Sequence, residues 1–246
     1  KNINQFGGNP NMVTAFGESA GAQDILALMF AAPAKELFQQ AILQSNAGFG
    51  LPEETDGTGH VKSSIDNERA RGIALAKALS ENDAPLSLDA LRKVPATKIL
   101  DTYQKAFPNY YHSPAVDGQL IKTSTWVDIQ KTNLSSMKVI IGSNADEYYA
   151  NTPEYVSKEM VQDTAKILYK SDSAVALEAV IDESDTRNAL DRLYSAEGML
   201  CPSQTLAERI TEDQGKSWVY YFNRVRDGKA LSLIHISEPT RRTPIS

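Results

Sequence analysis

A mostly parallel α/β architecture is the fold class that the 246-residue sequence predicts, and three observations predict it. Short β-prone apolar runs alternate with stretches of helical periodicity. One of these runs stops at a Gly-x-Ser-x-Gly turn that opens directly into an apolar helix. Another, Val139-Ile140-Ile141-Gly142, is the continuous apolar run of a buried strand, and it stops at the paired carboxylates of Asp146-Glu147.

Taken in order, Met12–Phe16 reads as a strand after the turn Gly7-Gly8-Asn9-Pro10. Gly17–Gly21 follows, and then a helix over Ala22–Phe30 with apolar Ile25, Leu26, Leu28 and Met29. Ala41–Gln44 is a second strand, and residues 46–66, rich in Gly, Asp and Thr, form a surface loop. Helices are expected at Asp66–Leu79 and Leu88–Lys93, the latter capped by Ser87. After the strand at Val139–Gly142, two or three helices fit between Pro153 and Asp213, and Trp218–Phe222 is a last strand. No internal repeat is visible, and no Pro-, Gly- or Ser-rich linker divides the chain.

Composition narrows the function. With 25 basic against 31 acidic residues the net charge is −6, which disfavours nucleic acid and anionic membrane as partners. No apolar stretch approaches the roughly 20 residues of a membrane span. A single cysteine, Cys201, forms no internal disulfide and no thiolate zinc site. No metal or organic cofactor is implied. The sequence sets neither compartment nor oligomeric state, and the sequon at Asn133-Leu134-Ser135 is a weak signal of secretion.

Gly17-Glu18-Ser19-Ala20-Gly21 fits the nucleophile elbow. A sharp strand-to-helix turn forces the backbone of Ser19 into a strained conformation, and glycines two residues away on either side, Gly17 and Gly21, let neighbouring backbone pack closely. The turn lifts Oγ above the sheet at a helix N-terminus, where the Ala20 N–H can donate to a developing oxyanion. The bland alternative is a glycine-rich turn holding an ordinary serine, but strand and helix stand where the motif requires them.

Phe6-Gly7-Gly8-Asn9-Pro10-Asn11-Met12-Val13-Thr14-Ala15-Phe16-Gly17-Glu18-Ser19-Ala20-Gly21-Ala22 is similar to the signature of type-B carboxylesterases, the group that includes cholinesterases. The resemblance continues, in family order, through Ala34–Ser45, Ser113–Gly118, Ile141–Glu147, Cys201–Ser203 and Val219–Phe222. It implies an α/β-hydrolase fold, here the central and C-terminal-half portion of the sheet, and hydrolysis of small-molecule carboxylic esters through an acyl-serine. The sequence departs from the family at Asp24, where Ser is usual, and at Asn46 and Tyr148, where Gly is usual or frequent. A lipase- or amidase-type acyl hydrolase is the alternative within enzymes. A non-catalytic adhesion or interaction protein is the alternative outside them.

A serine hydroxyl needs an imidazole to take its proton and a carboxylate to hold that imidazole. The order expected in an α/β-hydrolase is Ser, acid, His. The Asp146-Glu147 turn follows a strand as the acid must, although a solvated or helix-capping pair would look the same. The resemblance selects Glu147 as the acid, leaves Asp146 structural, and marks Ser45 as a structural serine near the site. His60 and His112 precede Glu147 and break the order; His235 alone follows it.

His235 lies in Leu231–Ser246, and one codon choice for Leu-Ser-Leu-Ile-His-Ile-Ser-Glu-Pro-Thr-Arg spells a transposase adapter used in sequencing-library preparation. Ile245-Ser246 then matches the bases beyond a sample index. Residues 231–246 are therefore expected to be translated adapter and residues 1–230 a partial hydrolase domain. The base and the Gly-rich oxyanion loop are expected outside this chain, which would by itself be inactive.

Overall fold

The computed structural model describes residues 2–34, 36–46, 65–82, 84–108, 114–123, 125–180 and 185–223. By proximity of its backbone the chain divides into two units, Lys1–Gly50 with Thr125–Ser246, and Leu51–Ser124. No linker composition announces that division, which is why the sequence shows none. The expected loop at 46–66 falls largely on residues 47–64, outside the described residues, as do His60, His112, His235 and all of 231–246.

The first unit is built on a four-stranded sheet in the order β1 (Thr14–Glu18), β2 (Gln40–Gln44), β3 (Lys138–Asn144) and β4 (Lys216–Phe222). All three pairings are parallel. β1 lies two residues beyond the predicted Met12–Phe16, because Gly17 and Glu18 continue the ladder opposite Leu43 and Gln44. One face of the sheet carries the core. α1 (Ala20–Phe30) buries Ala22, Ile25, Leu26 and Met29, one stripe of a helix of period 3.6. These side chains pack with Ala41 and Leu43 of β2, Val139 and Ile141 of β3, Ile129 of α5 (Thr125–Lys131), and Leu206 and Ile210 of α9 (Cys201–Glu212). Strand residues one step out of phase point to the other face. There Phe16, Ile42, Ile140 and Trp218 stand side by side in register across all four strands. Phe16, Ile140 and Trp218 are 74%, 42% and 54% exposed.

Between β3 and β4 the described residues hold four α-helices: α6 (Lys158–Tyr169), α7 (Ser173–Ala179), α8 (Thr186–Ser195) and α9. The sequence predicted two or three. Lys170, in a left-handed φ of 49°, ends α6 at a residue type that gives no stop signal in sequence. α8 and α9 run on through a π-helical turn, Ala196–Leu200. Pro202, lacking an N–H, opens α9 just beyond it. Val156, Val161, Ala165, Ala189, Leu190 and Leu193 join α6 and α8 in a second apolar cluster.

The second unit contains α2 (Ile65–Ala78), α3 (Leu88–Leu91) and α4 (Ala96–Ala106). Ser87 caps α3 as predicted, its Oγ accepting the Ala90 N–H at 3.2 Å. The Arg71 guanidinium lies over the Phe107 ring at 5.4 Å. No helix among the described residues is long and apolar enough to cross a membrane, and no group of His, Cys, Asp and Glu among them could hold a metal ion.

Candidate active site

Because the four strands are parallel, their carboxyl ends share one edge of the sheet, where open α/β sheets form their binding crevices. At that edge β1 stops and Ser19 turns the chain into α1. Ser19 has φ 53° and ψ −118°, a region that costs a non-glycine residue on the order of 1–3 kcal/mol. Two backbone bonds fix the turn: the Ser19 N–H donates to the Gln44 carbonyl at 2.9 Å, and the Ser19 carbonyl accepts the Gln23 N–H at 3.0 Å. Its side chain makes no capping bond to the helix. Ala20 is the first residue of α1, so its N–H is among those left without an intrahelical acceptor.

The two glycines do different work. A Cβ on Gly17 would lie 2.6 Å from the carbonyl carbon and oxygen of Gly21, whereas one on Gly21 would meet nothing within 4 Å. Among the described residues it is Gly17 that meets backbone, and Gly21 is the backbone it packs against.

The acid turn leaves β3 at the same edge. Glu147, half-buried, accepts the Asn144 N–H on Oε1 at 2.6 Å. Its own N–H donates to Ser195 Oγ at 3.1 Å, and the Tyr148 N–H donates to Asp191 Oδ1 at 2.7 Å. The Tyr148 ring sits over Gly198 of the π-helical turn and 6.1 Å from the Tyr194 ring. It therefore packs on the helices behind the acid.

Electrostatics ties the two ends together. Glu18, beside the nucleophile, holds its proton more tightly than an ordinary carboxylic acid, first through burial and then through repulsion from Glu147. The Tyr220 hydroxyl is pushed up to about 12, chiefly by burial and then by Glu147, with Glu18 contributing. Glu18, Glu147 and Tyr220 thus share one neighbourhood. Ser45, at the end of β2, is buried with φ 49° and donates its N–H to the Gly142 carbonyl at 2.8 Å.

Asp191, fully buried on α8, is raised to about 6, mainly by burial and further by Asp146, against the Tyr148 N–H, Ser195 and Arg192, which lower it. Sequence reading missed Tyr220, Asp191 and Ser195. The last two carry one usable signal, a polar pair four residues apart on one helix face.

Surface hollows of about 490 Å³ beside Ala207, Thr211 and Ser217, and of about 240 Å³ beside Tyr169, Ala176 and Cys201, lie elsewhere. Neither is lined by Ser19 or Glu147. The candidate site is identified by the chemistry at the strand ends.

A family model described as "Carboxylesterase family" matches residues 1–240. The chain is 26% identical to an acetylcholinesterase of Myxine glutinosa, over 91% of this chain and 72% of that protein. It is 25% identical to Cholinesterase 2 of Branchiostoma lanceolatum, over 90% and 71%. It is 28% identical to an acetylcholinesterase of Danio rerio, over 86% of this chain but 37% of that protein. With the parallel sheet, the strand-to-helix serine and a family match over nearly its whole length, the chain belongs to the carboxylesterase family of ester hydrolases and has the α/β-hydrolase type of fold.

Proposed function

We propose that the protein hydrolyses carboxylic esters through an acyl-serine intermediate, with Ser19 as nucleophile and Glu147 as the acid of its triad. The observation that carries this reading is the strained turn at Ser19, set at the same sheet edge as the Glu147 carboxylate. Ser19 Oγ attacks the ester carbonyl carbon while an imidazole takes its proton. The carbonyl oxygen becomes an oxyanion, to which the Ala20 N–H donates at the positive end of α1. Collapse expels the alcohol, which takes the proton from the imidazolium. Water, deprotonated by the same imidazole, then releases the acid and frees Ser19. Glu147 orients the imidazole and stabilises its charged form. Gly17, Glu18 and Gly21 shape the turn.

The imidazole is a histidine other than His60, His112 and His235. The first two precede the acid in the chain, and the third lies in the adapter-like segment Leu231–Ser246, which we read as foreign to the enzyme although the family match reaches residue 240. On this reading none of those three histidines serves Ser19, and the 246-residue chain is predicted not to turn over ester.

Labelling with a fluorophosphonate, which phosphonylates activated serines with loss of fluoride, tests the assignment. In the full-length protein the probe should modify the peptide containing Ser19, and a saturating ester present during the labelling should slow it by competition. Modification of Ser45 instead would overturn the choice of nucleophile. The 246-residue chain should neither label nor turn over the ester. Turnover by that chain, abolished by His235→Ala, would show that His235 is the base after all.

A further inference from the structure

α8 buries two polar side chains where it meets the acid turn. Asp191 and Ser195 are 0% and 4% exposed. Burying a carboxylate is costly unless its hydrogen bonds compensate, and those of Asp191 converge on a single short segment. Its Oδ1 accepts the Tyr148 N–H at 2.7 Å and the Ser195 hydroxyl at 3.2 Å. The Ser195 oxygen, its proton thus directed to Asp191, is oriented to accept the Glu147 N–H at 3.1 Å. Two successive peptide N–H groups of the acid turn therefore end on one helix, through one carboxylate and one hydroxyl. Asp191 Oδ2 is buried and has no hydrogen-bond partner among the described residues.

Resting on the reading of Glu147 as triad acid, we propose that Asp191 and Ser195 are positioning residues, a clamp that fixes the Glu147 main chain so that its carboxylate meets the imidazole at the right distance. α8 is a rigid anchor for this purpose, since its Leu190 and Leu193 are buried against α6 in the second apolar cluster. The Asn144 N–H holds the far end of the same residue, at the carboxylate. Glu147 is thereby fixed by main chain and by side chain from two elements. A displacement of about 1 Å in such a constellation costs on the order of 100-fold in rate.

The test uses the full-length protein and two readouts, amide hydrogen exchange of the peptide covering Glu147 and Tyr148, and kcat with KM on a simple ester. Asp191→Ala should speed exchange there by at least about tenfold. It should also lower kcat by about 30-fold with KM within about twofold. Ser195→Ala should lower kcat by about tenfold. Asp191→Asn keeps an oxygen at the Oδ1 position and should hold kcat within about threefold of wild type. Wild-type exchange in the alanine variants, an Asn variant as impaired as the Ala variant, or a loss confined to KM would each overturn the clamp. If Asp191→Ala does not fold, Ser195→Ala and Asp191→Asn decide the matter by the same readouts. Glu147→Gln separates the two readings. Wild-type kcat in that variant overturns the triad assignment. Collapse there, with wild-type kcat in Asp191→Ala and Ser195→Ala, overturns the clamp alone.

Discussion

Replacing Ser19 by alanine should remove ester hydrolysis by the full-length protein, with kcat/KM falling by about 10⁵-fold. The fall should appear in kcat, because the hydroxyl forms its bond to the substrate carbon only on the way to the intermediate. Folding should be nearly unaffected. Ser19 Oγ makes no capping bond to α1, and the positive φ of 53° is no easier for alanine than for serine. Ser19→Gly is the informative companion: it too lacks the nucleophile, but it relieves the backbone strain and should raise the melting temperature while leaving the protein inactive. Turnover retained by Ser19→Ala would end the assignment. Loss of turnover accompanied by unfolding would mean that the turn needs its serine for stability.

Gly17→Ala should be the most damaging small substitution near the site, and Gly21→Ala one of the mildest. A methyl at Gly17 would press on the backbone of Gly21, and backbone at the joint between a sheet strand and a helix has no rotamer in which to retreat. We expect a loss of about 3 kcal/mol, near 10 °C in melting temperature, for Gly17→Ala. Gly21 opens on free space at the start of α1, so alanine there should hold stability or raise it by up to about 1 kcal/mol through helix propensity. Thermal unfolding of the two variants side by side checks the contrast, and equal melting temperatures would refute it. Gly142 belongs with Gly17. A Cβ there would overlap the Tyr220 carbonyl and come within 2.6 Å of the Tyr220 ring, forcing β4 away from β3 and disturbing the tyrosine beside Glu147.

Local chemistry made the nucleophile readable in advance. Gly17, Ser19 and the apolar stripe of α1 are contiguous, so the turn, its strain and its helix can be inferred from one stretch of chain. Val139–Gly142 was readable as a strand because it is a short continuous apolar run, although Ile140 in it stands 42% exposed on the second face. What sequence did not yield is what depends on distance along the chain. The clamp joins Glu147 and Tyr148 to Asp191 and Ser195 across more than forty positions, and an aspartate on a helix is ordinarily a solvent-facing residue. α4 was missed although its apolar and polar residues separate onto opposite faces, and none of its side chains is buried among the described residues.

The apolar row Phe16, Ile42, Ile140 and Trp218 should govern how the chain behaves as a colloid. With strands about 4.8 Å apart, the row forms a nonpolar band about 14 Å wide. Attraction between such bands on different molecules strengthens on warming and in solutions of excluded salts such as sulfate. Light scattering by a dilute solution of the 246-residue chain should therefore rise with temperature in sulfate and fall in urea. Phe16→Lys, at the most exposed position of the row, should suppress that rise by placing like charges between approaching molecules. Purification of the unsubstituted chain should accordingly succeed best cold, dilute and at low sulfate.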